Sequence, residues 1–279
     1  MFVIGDNCDI HTTARINVKE GYIGEGAIIR EGVIIEGTKV CIGREAYIDR
    51  FSVIGGGSCF DPDAYLIAGD WFHMGWNSQV NIAFGVKVGD EVGIGIESKI
   101  FTHGAYIDSY NIGAPVQWAS VEIGNNVWLP NAWVNPGVRI GDNVVVSARS
   151  LVNRNIPSGS LCAGIPIRII KENYFPRLLS NEEKRDIIEK IFYKIRIRFE
   201  DISDGEEYEL KYDDRKYVII CMLNKKSCFF YLREKIIDGY VTKLSRIVKD
   251  QLRRNGIRFR YKESGEFWEK WSENDKIRR

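Results

Sequence analysis

Only three histidines occur in the 279 residues: His11, His73 and His103. A neutral imidazole can take the proton of a hydroxyl as that oxygen attacks an electrophile, and with an ordinary pKa of about 6.5 it is largely in its base form at pH 7. His103 stands in Ile100-Phe101-Thr102-His103-Gly104, at the start of an irregular excursion that runs to about residue 120. Long irregular loops inside a regular chain are frequent seats of function. Asp108, within that excursion, is placed to orient His103 or a substrate hydroxyl, or else to sit solvated. His73 lies in Asp70-Trp71-Phe72-His73-Met74-Gly75-Trp76, where it stacks among aromatics or lines a groove. His11 reads as part of an exposed turn. No cluster of His, Cys and Asp has metal-ligand spacing, so no metal is expected. Neither a P-loop nor a GxGxxG between strand and helix occurs, which argues against nucleotide hydrolysis and a Rossmann site.

The elements that must carry these residues follow a repeat. An aliphatic residue followed by Gly recurs at Ile4, Ile23, Ile42, Ile54, Val88, Ile94, Ile123 and Ile140. Small or aliphatic residues then come six positions on, as in Ile4/Ile10/Ile16, Ile42/Ile48/Ile54, Val88/Ile94/Ile100 and Ile140/Val146/Val152, with Ala68/Met74/Val80 as a weaker frame. A helix buries positions at a period of 3.6 and a strand at a period of 2. A period of six suits short strands joined by turns, three to a coil, which stack aliphatic rungs inside a prism. Gly and Asn belong at the corners because they tolerate positive φ. A β-sandwich of evenly spaced strands would explain the β-propensity but not the register of six. Block starts at 4, 23, 42, 68, 88, 123 and 140 make seven coils, and the long spacings 42 to 68 and 88 to 123 mark loops leaving the prism.

Composition bounds the rest. The chain is 44% hydrophobic and 28% charged with a net charge of +1, which excludes a disordered or collagen-like chain and gives no reason to expect nucleic acid. No apolar run approaches the roughly 20 residues of a membrane-spanning helix. The start, MFVIGDNCDIHTTARI, lacks a basic segment followed by an apolar one, and the six cysteines show neither paired spacing nor CxxC. Both point to the cytoplasm. Residues 1–171 carry a net charge of −4 and 23 glycines, whereas 172–279 carry +5 and 4 glycines. Two architectures therefore share the chain.

Residues 121–171, VEIGNNVWLPNAWVNPGVRIGDNVVVSARSLVNRNIPSGSLCAGIPIRIIK, resemble the final coils of the hexapeptide-repeat acyltransferases. The likeness is to the galactoside, maltose, xenobiotic and surface-polysaccharide O-acetyltransferases, and it covers roughly 1–171. It implies a left-handed parallel β-helix and transfer of an acetyl group from acetyl-CoA to a saccharide, in capsule or O-antigen modification. His103 matches the family's catalytic histidine. By the same resemblance Asn81 stands near the acceptor, with Asp108 and His73 as further acceptor candidates. Trp128, Ala148, Arg154, Arg168 and Lys171 are the candidates for holding coenzyme A, since cationic side chains suit its phosphates. The family's members are trimers with each site between two prisms. Three departures are visible: LPNAWVN between Trp128 and Pro136 is one residue short, the G-A-G-S corner is Ser147-Ala148-Arg149-Ser150, and T-K-D-I-P is Asn153-Arg154-Asn155-Ile156-Pro157. An N-acyltransferase acting on an amino sugar nucleotide or other small amine, and a non-catalytic scaffold, stay open beside the O-acetyltransferase.

From 172 to 279 the hexad is absent and a small α+β domain is expected. Ser180 with Glu183 forms a capping box ahead of a helix to about 199. Strands are expected at 207–212, 216–223 and 227–233, a second helix over 239–254, and a last strand over 257–262. The run Arg253, Arg254, Arg258, Arg260 and Lys262 could hold an anionic ligand or membrane surface, or belong with Trp268 and Trp271 to a solvated face and a domain contact.

Overall fold

The computed structural model describes residues 1–272, which fall into two compact units divided between Arg177 and Leu178. The first is a parallel β-helix, mainly β as the repeat requires. Ile4, Ile23, Ile42, Ala68, Val88, Ile123 and Ile140 stand in register down one face. Ile10, Ile29, Ile48, Met74, Ile94 and Leu129 line the second. Ile16, Ile35, Ile54, Val80, Ile100, Val134 and Val152 line the third. These columns are the core: from Ile23 on their members are almost wholly buried, while Ile10 and Ile16 of the first coil are partly buried against it. A bridge from Ile140 to Ile156 adds an eighth rung to the seven coil starts. That rung is followed by Pro157 instead of Gly and so does not carry the repeat's signature.

The corners add a second reason for glycine. Apart from Gly55, at φ 144°, the Gly that follows each aliphatic residue of the repeat is not in the left-handed region. A Cβ at Gly43 would lie 2.4 Å from the backbone carbon and 2.5 Å from the carbonyl oxygen of Gly69 in the next coil. Glycine is there because two backbones touch. Positive φ falls two residues later, at Asn7, Glu45, Trp71, Glu91, Asn126 and Asn143 and at Gly26 and Gly159. The position between them is often Asp or Asn, and it forms a ladder along the corner. Arg44 N–H donates to Asp70, Asp70 N–H to Asp90, Asp90 N–H to Asn125 and Asn125 N–H to Asp142, at 2.6–3.0 Å. Each side chain satisfies the turn amide of the coil before it, which an open corner would otherwise leave to water.

The two expected excursions leave the prism after Val53–Gly55 and after Lys99–Ile100. The second is not wholly irregular. Its neck is a short antiparallel pair, His103–Gly104 with Gln117–Trp118.

The second unit is an antiparallel sheet of six strands, ordered Tyr208–Asp213, Val218–Leu223, Lys226–Tyr231, Ile236–Tyr240, Phe267–Lys270 and Tyr261–Ser264. Helices α1 (Asn181–Glu200) and α2 (Lys243–Arg254) pack their apolar sides on it. The Ser180–Glu183 capping box is present. Residues 236–240 form a strand that sequence reading missed, and α2 begins only at Lys243, where Thr242 caps it. Trp268 is 1% exposed in the sheet core, not on a solvated face. Arg253 and Arg254 both donate to Asp250, so the basic run is partly neutralised from within.

Two tests follow from these contacts. Gly43→Ala is expected to lower stability to urea by about 2–4 kcal/mol, because the atoms it meets are backbone. Gly57→Ala, with nothing within 4 Å of its Cβ, should change it by less than about 0.5 kcal/mol. Equal effects would contradict the close-approach argument. Asp250 also accepts from Arg198 of α1. Burial alone would raise its carboxyl, but the three guanidinium partners outweigh burial and hold it well below the usual carboxylate range. A depressed carboxyl contributes stability above its unfolded pKa of about 3.9 and loses it as pH falls through the folded value. Asp250→Asn should therefore destabilise the protein at pH 7, with the deficit shrinking below about pH 3.9. A pH-independent deficit would contradict the ion-pair origin.

Candidate active site

His103 begins where the third face ends. Ile100 points inward between Val80 and Val134, Thr102 is fully buried, and His103 emerges half-buried at the neck of the excursion. Its ring is fixed from two sides. Nδ1 lies 3.0 Å from Oδ1 of Asn81, one coil away. Trp118, its cross-strand partner, stacks on the ring with centroids 4.8 Å apart and planes at 18°. Directly opposed residues of an antiparallel pair bring their side chains together in this way. Among the described residues no hydrogen bond is made by Nε2 of His103. The neck is tied to the prism by Ala119 N–H to the Thr102 carbonyl at 3.0 Å and by Gln117 Nε2 to the Pro136 carbonyl at 3.1 Å.

The other sequence candidates disperse. Asn81 is brought to His103 and is 4% exposed. Asp108 is not: its carboxylate accepts from the backbone N–H groups of Tyr110 and Asn111 and from the Asn111 side chain. Those bonds hold its carboxyl below the usual range, the Asn111 backbone contributing most. His73 stands on the second face, stacked on Tyr47 with centroids 5.3 Å apart. Trp128 is also on the second face, with its indole over Gly93, where a Cβ would fall 2.5 Å from the ring. Arg154, Arg168 and Lys171 are exposed at the C-terminal end of the prism, and Lys171 lies over the Tyr174 ring at 4.3 Å. Ala148 is exposed at the corner that follows Val145–Val146 of the second face.

A groove next to Ala148 escaped sequence reading. It has a volume of about 280 Å³ and is lined by Asn131, Trp133, Arg149, Ser150, Leu151 and Ile165. Trp133 meets Phe101, two residues before His103, edge to face at 5.8 Å, so the groove leads toward the histidine's strand. Arg149 and Trp133 were legible only as departures: one in the altered corner, the other in the shortened LPNAWVN. A larger hollow of about 860 Å³ lies on the first face among Lys87, Glu122, Arg139 and Asn155 and holds no histidine. Among the described residues no group of His, Cys, Asp and Glu could hold a metal ion, and no helix is long and apolar enough to cross a membrane.

No family model matches the chain. Over 139 residues it is 32% identical to the galactoside O-acetyltransferase of Escherichia coli (strain K12), a match that covers 46% of this chain and 68% of that protein. Over 113 residues it is 36% identical to WbbJ of the same organism, whose name assigns it provisionally as a lipopolysaccharide biosynthesis O-acetyl transferase. That match covers 34% of this chain and 58% of WbbJ. Among solved structures, the hexapeptide-repeat acetyltransferase VCA0836 from Vibrio cholerae has a TM-score of 0.34 at 18% identity, over 60% of this chain and 72% of that one. AntD, an N-acyltransferase from Bacillus cereus, has a TM-score of 0.45 at 20% identity, over 69% and 89%. With its hexad columns, its histidine at the neck of a loop and a relative matched over two thirds of that relative's length, the chain belongs to the hexapeptide-repeat acetyltransferases.

Proposed function

We propose that the protein transfers the acetyl group of acetyl-CoA to a hydroxyl of a saccharide, in the modification of a bacterial surface polysaccharide in the cytoplasm, with His103 as general base. The observation that carries this reading is the state of the imidazole: Nδ1 engaged, the ring clamped by Trp118, and Nε2 with no hydrogen-bond partner among the described residues. The relatives named for galactoside and lipopolysaccharide O-acetylation support the acceptor class.

In this mechanism Nε2 of His103 accepts the acceptor hydroxyl's proton as its oxygen bonds to the thioester carbonyl carbon. The C–S bond then breaks, the proton leaves Nε2 for the departing thiolate, and an acetyl ester and the free thiol of coenzyme A result. The groove of Asn131, Trp133, Leu151 and Ile165 suits the pantetheine arm, its apolar walls meeting the methylene and methyl groups and Asn131 an amide, and Arg149 at its edge suits a phosphate. Arg154, Arg168 and Lys171 would add positive charge along the same end. A homotrimer completes the site. The excursion carries Tyr106, Tyr110 and Ile112 almost wholly in solvent, at 101%, 94% and 72% exposure, and a neighbouring prism would cover them.

His103→Ala is expected to lower acceptor-dependent thiol release by about 10²–10⁴-fold, with calorimetric affinity for coenzyme A unchanged. Full turnover by that variant would contradict the general-base role and favour an amine acceptor, which needs no strong base. Asp108→Ala should keep the rate within about threefold, since its carboxylate is spent on its own turn. A loss comparable to that of His103→Ala would give Asp108 a part in the chemistry that its contacts do not provide.

A further inference from the structure

The contacts around Asn81 determine which nitrogen of His103 carries the proton, and they do so without reference to any substrate. A neutral imidazole exists as two tautomers, and only the one with its hydrogen on Nδ1 leaves Nε2 with a lone pair. The Asn81–His103 contact by itself does not choose, because an amide turned over would present its NH₂ to Nδ1. The backbone of Ala83 chooses. Its N–H lies 3.2 Å from the same Asn81 atom, and a backbone N–H can only donate, so that atom is the oxygen. Turning the amide would set NH₂ against N–H in a residue 4% exposed.

Thr102 is consistent with this assignment. Its Oγ1 accepts from Phe84 N–H at 3.0 Å, which directs its single hydrogen toward Asn81, whose Oδ1 is 2.9 Å away and whose backbone oxygen is 3.1 Å away. With Oδ1 established as an acceptor, His103 Nδ1 must be the donor. Three groups converge on that one oxygen, so it has no direction left for a sugar hydroxyl. The Asn81 side chain thus faces inward to the histidine through its oxygen, while its nitrogen is turned toward Gly56, where a Cβ would stand 2.7 Å from it.

We infer that Asn81 is a positioning residue: its side-chain oxygen, oriented by the Ala83 amide, holds His103 in the Nδ1–H tautomer and leaves Nε2 as the base. This inference rests on the general-base reading above. It also makes a claim about the resting protein that stands without any activity.

The test is nitrogen NMR on the full chain labelled with ¹⁵N-histidine, with the His103 signals identified by their loss in His103→Gln. At a pH where the ring is neutral, the wild type should show a protonated, pyrrole-like Nδ1 and an unprotonated, pyridine-like Nε2. Asn81→Ala should show both tautomers, and thiol release should fall about 10- to 100-fold in kcat with KM for the acceptor nearly unchanged. Asn81→Asp keeps an acceptor oxygen and should restore the Nδ1–H signature. Its added negative charge favours the imidazolium, so the acidic limb of its rate profile should move to higher pH. An Nε2–H signature in the wild type would overturn the inference even if the enzyme is active. An Nδ1–H signature unchanged in Asn81→Ala would overturn it as well. The expected signatures in a protein whose His103→Ala variant turns over normally would uphold the tautomer held by Asn81 and reject the general base.

Discussion

The inner face of each coil has no partner but the coil beside it, and every other feature of the first unit follows from that constraint. A single three-strand turn leaves aliphatic side chains facing an empty axis, and burial of each is worth about 1.5–3 kcal/mol only when the next coil closes over it. Stacking therefore demands identical rise at every corner. That demand explains the glycine at Gly43, whose missing Cβ lets the backbone at Gly69 approach. It also explains the Asp and Asn ladder, which satisfies amides that face no strand. A lattice so constrained is rigid, and rigidity is what a catalytic group needs from its scaffold.

The candidate site uses this lattice where it is interrupted. Asn81 belongs to one coil and Thr102 and His103 to the next, and the parallel register Val80 to Ile100 sets the two side by side. The chain then leaves the prism, and the short antiparallel neck forces Trp118 onto the imidazole. Two different kinds of pairing thus converge on one ring: a parallel rung supplies the acceptor oxygen, and an antiparallel pair supplies the clamp. His73 instead remains inside the regular parallel register and stacks on the Tyr47 of the coil before it.

Much of this was legible in the residues, because a period of six has few physical explanations. The coil starts, the inward columns and the two excursions follow from aliphatic spacing, whereas the choice of His103 rests mainly on the resemblance to the family. What escaped was whatever depends on distance between coils. Trp118 lies in an excursion with no period, so nothing in the sequence marks it as the partner of His103. Asp108 looked available because its ties to Tyr110 and Asn111 are made by its own turn. The groove at Arg149 arises from a corner that departs from the family pattern, and a departure says where to look but not what is built there. In the second unit the strand Ile236–Tyr240 escaped because its alternation is broken by Asp238 and Gly239, and Trp268 was misread because its partners Phe230 and Tyr261 are far apart in sequence.

On this reading the imidazole at the lip of the prism takes the proton of a sugar hydroxyl as that oxygen receives the acetyl group from coenzyme A. The most direct measurement is incubation of the wild type with acetyl-CoA and a panel of saccharides and amino sugars, following thiol release and then treating the isolated product with mild alkali. The account predicts release that depends on a hydroxyl acceptor and a product that alkali returns to the free sugar, as an ester must. An alkali-stable product formed only from amino sugars would contradict it, and so would release indifferent to every acceptor.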